Sequence, residues 1–231
     1  MVNLTNQSNL TRLRGHDGDI QSFLFTQNYL VSSSKLWVLY KLYNTKFSGD
    51  FISEPMVKDK QIKVWENLPS LTSEEKCSCI RTIRLPKASG YKGKRQSDDS
   101  RSWISLASLP AQSFGSDDFI SSGNGGDIIL WRLESNPVNE AGDEKNDKIW
   151  KNSIFCESQT DLTHQRVVFG FAVVGNLLIS TSMDREIKAW DLITRKPLHS
   201  FTTNGGFIYS AARSPVEGGP IAYGVGDGMF R

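Results

Sequence analysis

The side chains of this chain best equipped for chemistry are four aromatic rings, Trp103, Phe169, Phe207 and Tyr209, two arginines, Arg166 and Arg185, and one carboxylate, Asp19. Aromatic rings stack on unpaired bases, at about 1 to 3 kcal/mol per base. Guanidinium groups stack or hydrogen-bond to base edges and phosphates, and a carboxylate accepts from an exocyclic amine. The set is therefore a constellation for single-stranded RNA. The competing role for Phe207, Phe169 and Trp103 is to fill an apolar interior.

Other chemistries fit the sequence poorly. His16, His164 and His199 fall at no metal-ligand spacing, and His16 reads as a structural turn histidine. Cys77, Cys79 and Cys156 are too few for a disulfide framework, and one Cys-x-Cys does not complete a zinc site, so a reducing compartment fits best. There is no P-loop and no Gly-x-Ser-x-Gly. The GNGGD phrase at 123–127 leads into a strand rather than the helix of a dinucleotide fingerprint. Asp184 and Asp227 sit at matched turn positions and read as turn formers rather than an acid/base pair. No enzyme, metal or cofactor is expected.

Lys plus Arg number 27 against 25 Asp plus Glu, and a net charge of +2 does not suit a protein that coats phosphates, so RNA binding would need a specific site. The longest apolar stretch, Val167 to Ile179, is broken by Gly170, Gly175 and Asn176 and falls short of the roughly 20 residues of a membrane span. The polar start of the chain carries no secretory signal, so the sequons at Asn3, Asn6 and Asn9 are discounted and no membrane partner is expected.

The elements that position these residues come from an internal repeat: a small-residue turn, a charged or glycine-containing loop, then residues alternating at period two and ending in Trp. It appears as SSSK…KDKQIKVWEN, SSGNGGDIILWRL and STSMDREIKAWDL. The anchors Trp65, Trp131 and Trp190 are 66 and 59 residues apart. Both spacings exceed the roughly 40 to 45 residues of a WD40 blade, the surplus lying in polar insertions at 87–100 and 134–148. Upstream strands (HDGDIQSFLF, RSWISLAS, QRVVFGFAV, GFIYSAARSP) and second strands (NYLVSSS, DDFISSG, NLLISTS, PIAYGVG) complete an all-β WD40 propeller pattern. The units run approximately 15–85, 101–156, 164–203 and a truncated 205–231, with an outer strand near Leu10–Arg14 belonging to a preceding blade. Propellers close with about 4 to 8 blades, so an incomplete arc is expected, marginally stable with two uncovered faces.

In such blades the start of the innermost strand and the turn between second and third strands open on one rim. That rim collects Asp19, Trp103, Arg166 with Phe169, and Phe207 with Tyr209, together with Lys35, Lys58, Asn124, Arg185 and Asp227. One repeat is interrupted: removing Leu36 to Lys58, 23 residues, restores the phrase SSSKDKQIKVWEN. The segment holds Trp37, Tyr40, Tyr43, Phe47 and Phe51, unusually apolar for a solvent loop. It is either a translated intron or a loop that binds a partner or inserts into the fold, and continuous coding reads across it would exclude the first.

The phrases RLRGHDGDIQS, RSWISLASLP, STSMDREIKAWDL and NGGFIYSAARSPVEGGPIAYGVGDGMFR closely resemble the gem-associated protein five family, the WD-repeat RNA-recognition subunits of the survival-of-motor-neuron complex. The resemblance runs from about Arg12 to Arg231, interrupted at Leu36–Lys58 and near Asn136–Asp147. It implies recognition of the uridine-rich Sm site of small nuclear RNA precursors for spliceosomal snRNP assembly. It also implies survival-of-motor-neuron complex subunits as partners, in cytoplasm and nucleus. On this resemblance the base-stacking tryptophan falls on Trp103, the aromatic pair of Gly-Gly-Phe-x-Tyr on Phe207 and Tyr209, the two RNA-contacting arginines on Arg166 and Arg185, and the acidic contact on Asp19, shortened from Glu. The family has two full propellers and a helical C-terminal region, so cap binding is not assigned to this arc. The inserted segment would lie on the RNA face. Lys87, Lys92, Lys94 and Arg95 would steer phosphates or form a solvated loop. The other functional class open to such a rim is a WD40 scaffold that anchors proteins through its aromatics.

Overall fold

A computed structural model of the chain describes residues 15–34, 37–44, 51–58, 61–66, 79–85, 103–122, 126–134, 149–154, 163–214, 216 and 219–228. The first strands in chain order are β1 (Ile20–Phe25), β2 (Tyr29–Ser34), β3 (Trp37–Asn44), β4 (Phe51–Lys58), β5 (Gln61–Glu66) and β6 (Cys79–Arg84). They are followed by β7 (Leu106–Ser108), β8 (Phe119–Ser122), β9 (Ile128–Glu134), β10 (Ile149–Ile154) and β11 (Val168–Val174). The remainder are β12 (Leu177–Ser182), β13 (Glu186–Asp191), β14 (Pro197–Thr202), β15 (Ile208–Arg213) and β16 (Ile221–Val225).

Among the described residues these strands form three four-stranded antiparallel sheets, in the orders β1-β2-β5-β6, β7-β8-β9-β10 and β11-β12-β13-β14, and a fourth of β15-β16. The innermost strands adjoin in sequence, β1 beside β7, β7 beside β11 and β11 beside β15. The sheets are propeller blades set side by side as an arc. No helix among the described residues is long and apolar enough to cross a membrane.

The repeat phrase becomes structure through one register. Trp65, Trp131 and Trp190 stand opposite Leu30, Phe119 and Leu178 on the second strand of their blades. In each blade the indole N–H donates to a buried second-strand serine: Trp65 to Ser32 at 2.8 Å, Trp131 to Ser121 at 2.8 Å and Trp190 to Ser180 at 2.9 Å. Serine and threonine suit these strands because only small side chains fit where three strands crowd together, and a buried indole needs an acceptor.

Alternation then gives each blade two apolar faces, and the core lies between blades. Val31, Ile62 and Val64 of the first blade pack against Ile104, Phe119, Ile129 and Trp131 of the second. Ile120, Ile128 and Leu130 pack against Leu178 and Trp190 of the third, and Ala172, Ile179, Ile187 and Ala189 meet Ile208 of the fourth. On the face opposite the rim, buried Asp117 joins two blades, accepting from Thr26 Oγ1 at 2.7 Å, the Asn28 amide at 2.9 Å and Asn28 Nδ2 at 2.6 Å.

The interrupting segment reads as a loop from the sequence, but its backbone is a hairpin. β3 and β4 pair from Trp37 opposite Lys58 to Asn44 opposite Phe51 and form a separate two-stranded sheet. Its Val, Ile, Tyr, Trp and Phe content favours strands, and Lys41 stands opposite Glu54. β2 and β5 pair in the register of the sibling blades despite it. The Trp65–Ser32 bond spans 33 positions where its siblings span 10, the surplus being the inserted segment.

The outer strand expected at Leu10–Arg14, the polar insertion with Lys87, Lys92, Lys94 and Arg95, and Lys35, Asn124, Cys77, Cys156 and Phe47 lie outside the described residues, as do the side chains of Trp37, Tyr40, Tyr43, Phe51 and Lys58. Deleting residues 36–58 is expected to leave the thermal midpoint within about 4 °C of wild type, the shift of roughly 1 kcal/mol in a domain of this size. A larger fall would show that the hairpin helps hold the blades together.

Candidate nucleic-acid interface

The start of each innermost strand carries the site, and β-bulges aim it. Pairing of β11 with β12 slips between Val168 and Gly170, and pairing of β15 with β16 slips between Ile208 and Ser210. The extra residues are Phe169 and Tyr209. A bulged residue leaves the ladder and re-aims its side chain, while its neighbours Val168 and Ile208 stay buried in the core. The first blade has the same slip at Gln21, between Ile20 and Ser22, where the sequence reading placed nothing.

The bulges build a continuous row of rings across three blades. Trp103 meets Phe169 edge-on at 5.6 Å between centroids, Phe169 meets Tyr209 at 5.1 Å and 35°, and Tyr209 meets Phe207 edge-on at 6.5 Å. Trp103 is held by its indole N–H, which donates to Ser105 Oγ at 2.9 Å, and that hydroxyl donates on to the Phe169 carbonyl at 2.5 Å. Gly226 leaves room for the far end: a Cβ there would stand 3.3 Å from Tyr209 Cε2, and its amide donates to the Phe207 carbonyl at 2.8 Å. The rings are half-buried, and Tyr209 is 51% exposed. They thus pack partly against one another, as the interior reading required, while keeping faces toward solvent.

Arg166 and Arg185 are both exposed, Arg166 three residues before the bulged Phe169. Arg185 ends the β12–β13 turn at φ +71°, in the left-handed region. By strand register the same turn position in the second and fourth blades holds Gly126 at φ +103° and Gly228 at φ +82°. A non-glycine residue there costs about 1 kcal/mol, so the third blade bears a strained arginine where the second and fourth use glycine. The Arg185 carbonyl accepts from the Thr203 amide at 2.9 Å, tying the turn to the segment that leads into Phe207. Asp19, also exposed, immediately precedes β1 on the first blade, and the aromatic row begins one blade further on.

A buried chain of polar groups holds both arginine-bearing segments. The Trp190 indole donates to Ser180 Oγ, Ser180 Oγ lies 2.7 Å from His164 Nε2, and His164 Nδ1 lies 2.9 Å from Asp184 Oδ2. A carboxylate only accepts, so Nδ1 carries its hydrogen toward Asp184. Asp184 also accepts from the amides of Gln165 at 2.8 Å and Glu186 at 2.9 Å. His164 thus stands two residues before Arg166, and Asp184 one before Arg185. The sequence reading weighed His164 only as a metal ligand and gave it no structural role. The available signal was that His164 to Ser180 and His16 to Ser32 are both separations of 16, and both pairs are hydrogen-bonded.

His164, Asp184 and Glu186 also place ligand-type atoms within 4.8 Å of one another. Their donors are already committed, the histidine nitrogens to Asp184 and Ser180 and Glu186 to Lys188 at 2.8 Å. The cluster is better described as a structural network than as a metal centre.

Burial acts to raise the Asp184 carboxyl, but the His164 hydrogen bond and charge, with the Glu186 and Gln165 amides, outweigh it and hold it below the ordinary 3.8. A depressed carboxyl contributes stability that is present above its unfolded value and lost as pH falls through the folded one. Asp184→Asn is therefore expected to lower the urea midpoint near neutrality and to flatten its decline below about pH 4. An unchanged acid slope in the variant would contradict this.

Comparison with known proteins follows the same lines. No family model matches the chain. Gem-associated protein 5 of Mus musculus is 29% identical over 248 residues, covering 95% of this chain and 14% of that protein. Gem-associated protein 5 of Homo sapiens is 31% identical over 247 residues, with the same 95% and 14% coverage. The chain therefore spans about one seventh of the length of these relatives. Among solved structures, the RRP9 WD40 repeats match 94% of this chain and 48% of theirs (TM-score 0.52, 16% identity). The β-propeller domain of Cps50 (Swd1) from Myceliophteria thermophila matches 95% and 52% (TM-score 0.54, 14% identity). The computationally designed Ika4 protein matches 96% and 94% (TM-score 0.51, 16% identity). The chain is a WD40-repeat protein, a propeller arc similar along nearly its whole length to gem-associated protein 5.

Proposed function

We propose that the chain binds single-stranded, uridine-rich RNA on the rim formed by Trp103, Phe169, Phe207 and Tyr209, with Arg166 and Arg185 beside the rings and Asp19 at the near end. The observation that carries this reading is Arg185: an exposed arginine in the left-handed conformation stands where the second and fourth blades use glycine, and its carbonyl is tied to the segment that leads into Phe207 of the ring row. Strain at a surface turn is retained where the side chain has work to do. The similarity to gem-associated protein 5 supports the finer reading, recognition of the Sm site of small nuclear RNA precursors within the survival-of-motor-neuron complex for snRNP assembly. Stacking supplies most of the affinity, in keeping with a net charge of only +2.

The test is a titration of a uridine-rich Sm-site oligonucleotide and an adenosine tract against wild type, Trp103→Ala and Arg185→Gly. Trp103→Ala is expected to lose about 1 to 3 kcal/mol of binding. Arg185→Gly relieves the left-handed strain, so it should weaken binding by a similar amount, about 1 to 3 kcal/mol, while its thermal midpoint holds or rises. Equal affinities for all three proteins, or no preference for uridine, would instead favour the WD40 protein-interaction scaffold.

A further inference from the structure

Among the described residues, two buried side-chain oxygens make no hydrogen bond, Gln21 Oε1 and Ser34 Oγ. Both belong to the bulge of the first blade. Ile20 stands opposite Ser34 and Ser22 opposite Ser33, which leaves Gln21 as the extra residue. A bulge sets two residues of one strand against one of its partner, so Gln21 and Ser34 share the same break in the ladder. Ser34 is fully buried and Gln21 half-buried. The third blade satisfies the matching position: Ser182, opposite Val168, donates to the Arg166 carbonyl at 3.2 Å and accepts from the Asp184 amide at 3.1 Å. In the first blade the residue two positions beyond the serine is Leu36, the first of the inserted segment. A desolvated oxygen without a partner costs stability, and a ligand that supplies the partner accounts for it.

The bulge adjoins the start of the ring row. Ser33 Oγ donates to the Ile104 carbonyl at 2.6 Å and Ser22 Oγ accepts from the Leu106 amide at 3.3 Å, fastening both strands to the segment that carries Trp103. Gln21 is the first-blade counterpart of Phe169 and Tyr209, the bulged residues that supply rings to the rim. Where they offer a ring, it offers an amide. We infer that Gln21 and Ser34 bind a ribose 2′-hydroxyl and so select RNA over DNA, an assignment that rests on the rim reading above. A 2′-hydroxyl is both donor and acceptor. It donates to Gln21 Oε1, which only accepts, and accepts from the Ser34 hydroxyl, which is able to donate. One group thereby satisfies both orphan oxygens, and the methylene of deoxyribose satisfies neither. Stacking cannot make this distinction, because a base presents the same π-face on either sugar.

The test compares a uridine-rich Sm-site oligonucleotide with its all-deoxyribose counterpart, deoxyuridine replacing uridine, on the 231-residue chain. Wild type is expected to bind the ribose form about two- to tenfold more tightly, the worth of one such hydrogen bond. Gln21→Met and Ser34→Ala should each bring that ratio toward one by weakening the ribose form alone. Trp103→Ala should weaken both forms alike and leave the ratio intact. Should either bulge variant lose its β-sheet circular dichroism, the wild-type chain carries the test. Single 2′-deoxy substitutions moved along the oligonucleotide should then weaken binding at one nucleotide and leave the others unaffected. A wild-type ratio of one (a bound water only), a ratio that survives both bulge substitutions, or a loss spread evenly along the oligonucleotide would overturn this inference and leave the rim reading standing. Absence of binding to either oligonucleotide would overturn the rim reading, and this inference with it.

Discussion

The structure depends on a hydrogen bond made three times, from a buried tryptophan indole to a buried second-strand serine. Each bond satisfies two polar groups that would otherwise cost about 1 to 3 kcal/mol apiece to leave unpaired, and it locks third strand to second in one register. From that register follow the two apolar faces of each blade, the packing of one blade on the next, and the common direction in which the innermost strands begin. In the first and third blades a histidine joins the bond. In the third an aspartate joins as well, and there the network reaches the rim through the residues flanking Arg166 and Arg185.

Much of this was legible in the residues. The recurrence of Trp65, Trp131 and Trp190 behind small-residue turns carried the blade type, because period-two alternation ending in a bulky anchor has few other physical realisations. Removing Leu36–Lys58 restored a sibling phrase, and β2 and β5 pair as that phrase requires. Bulges were not legible: an extra residue in one strand leaves no compositional trace, so Gln21 could not be matched with Phe169 and Tyr209 from sequence. His164 was missed because its partners lie 16 and 20 residues away, a relation that only the blade's strand spacing converts into contact. The hairpin of the inserted segment was missed because its aromatic content was weighed against a loop rather than against a second sheet.

The two faces of the arc divide the work. Opposite the rim, Asp117 gathers three hydrogen bonds from the first blade and is buried in doing so, which is the signature of a group spent on stability. On the rim, rings remain half-exposed and an arginine keeps an unfavourable backbone conformation, which costs stability and gains none. The proposed binding role would account for that asymmetry, and the bulges show how neighbouring blades contribute rings to one surface without disturbing the ladders beneath them.

The central claim is that this row of rings is where unpaired bases stack, and photo-crosslinking tests it most directly. The chain would be irradiated with a uridine-rich oligonucleotide carrying 4-thiouridine and the crosslinked residues located by mass spectrometry. The account predicts crosslinks at Trp103, Phe169, Phe207 and Tyr209. Crosslinks confined to the opposite face around Asp117, or scattered over the blades without reaching these rings, would contradict it.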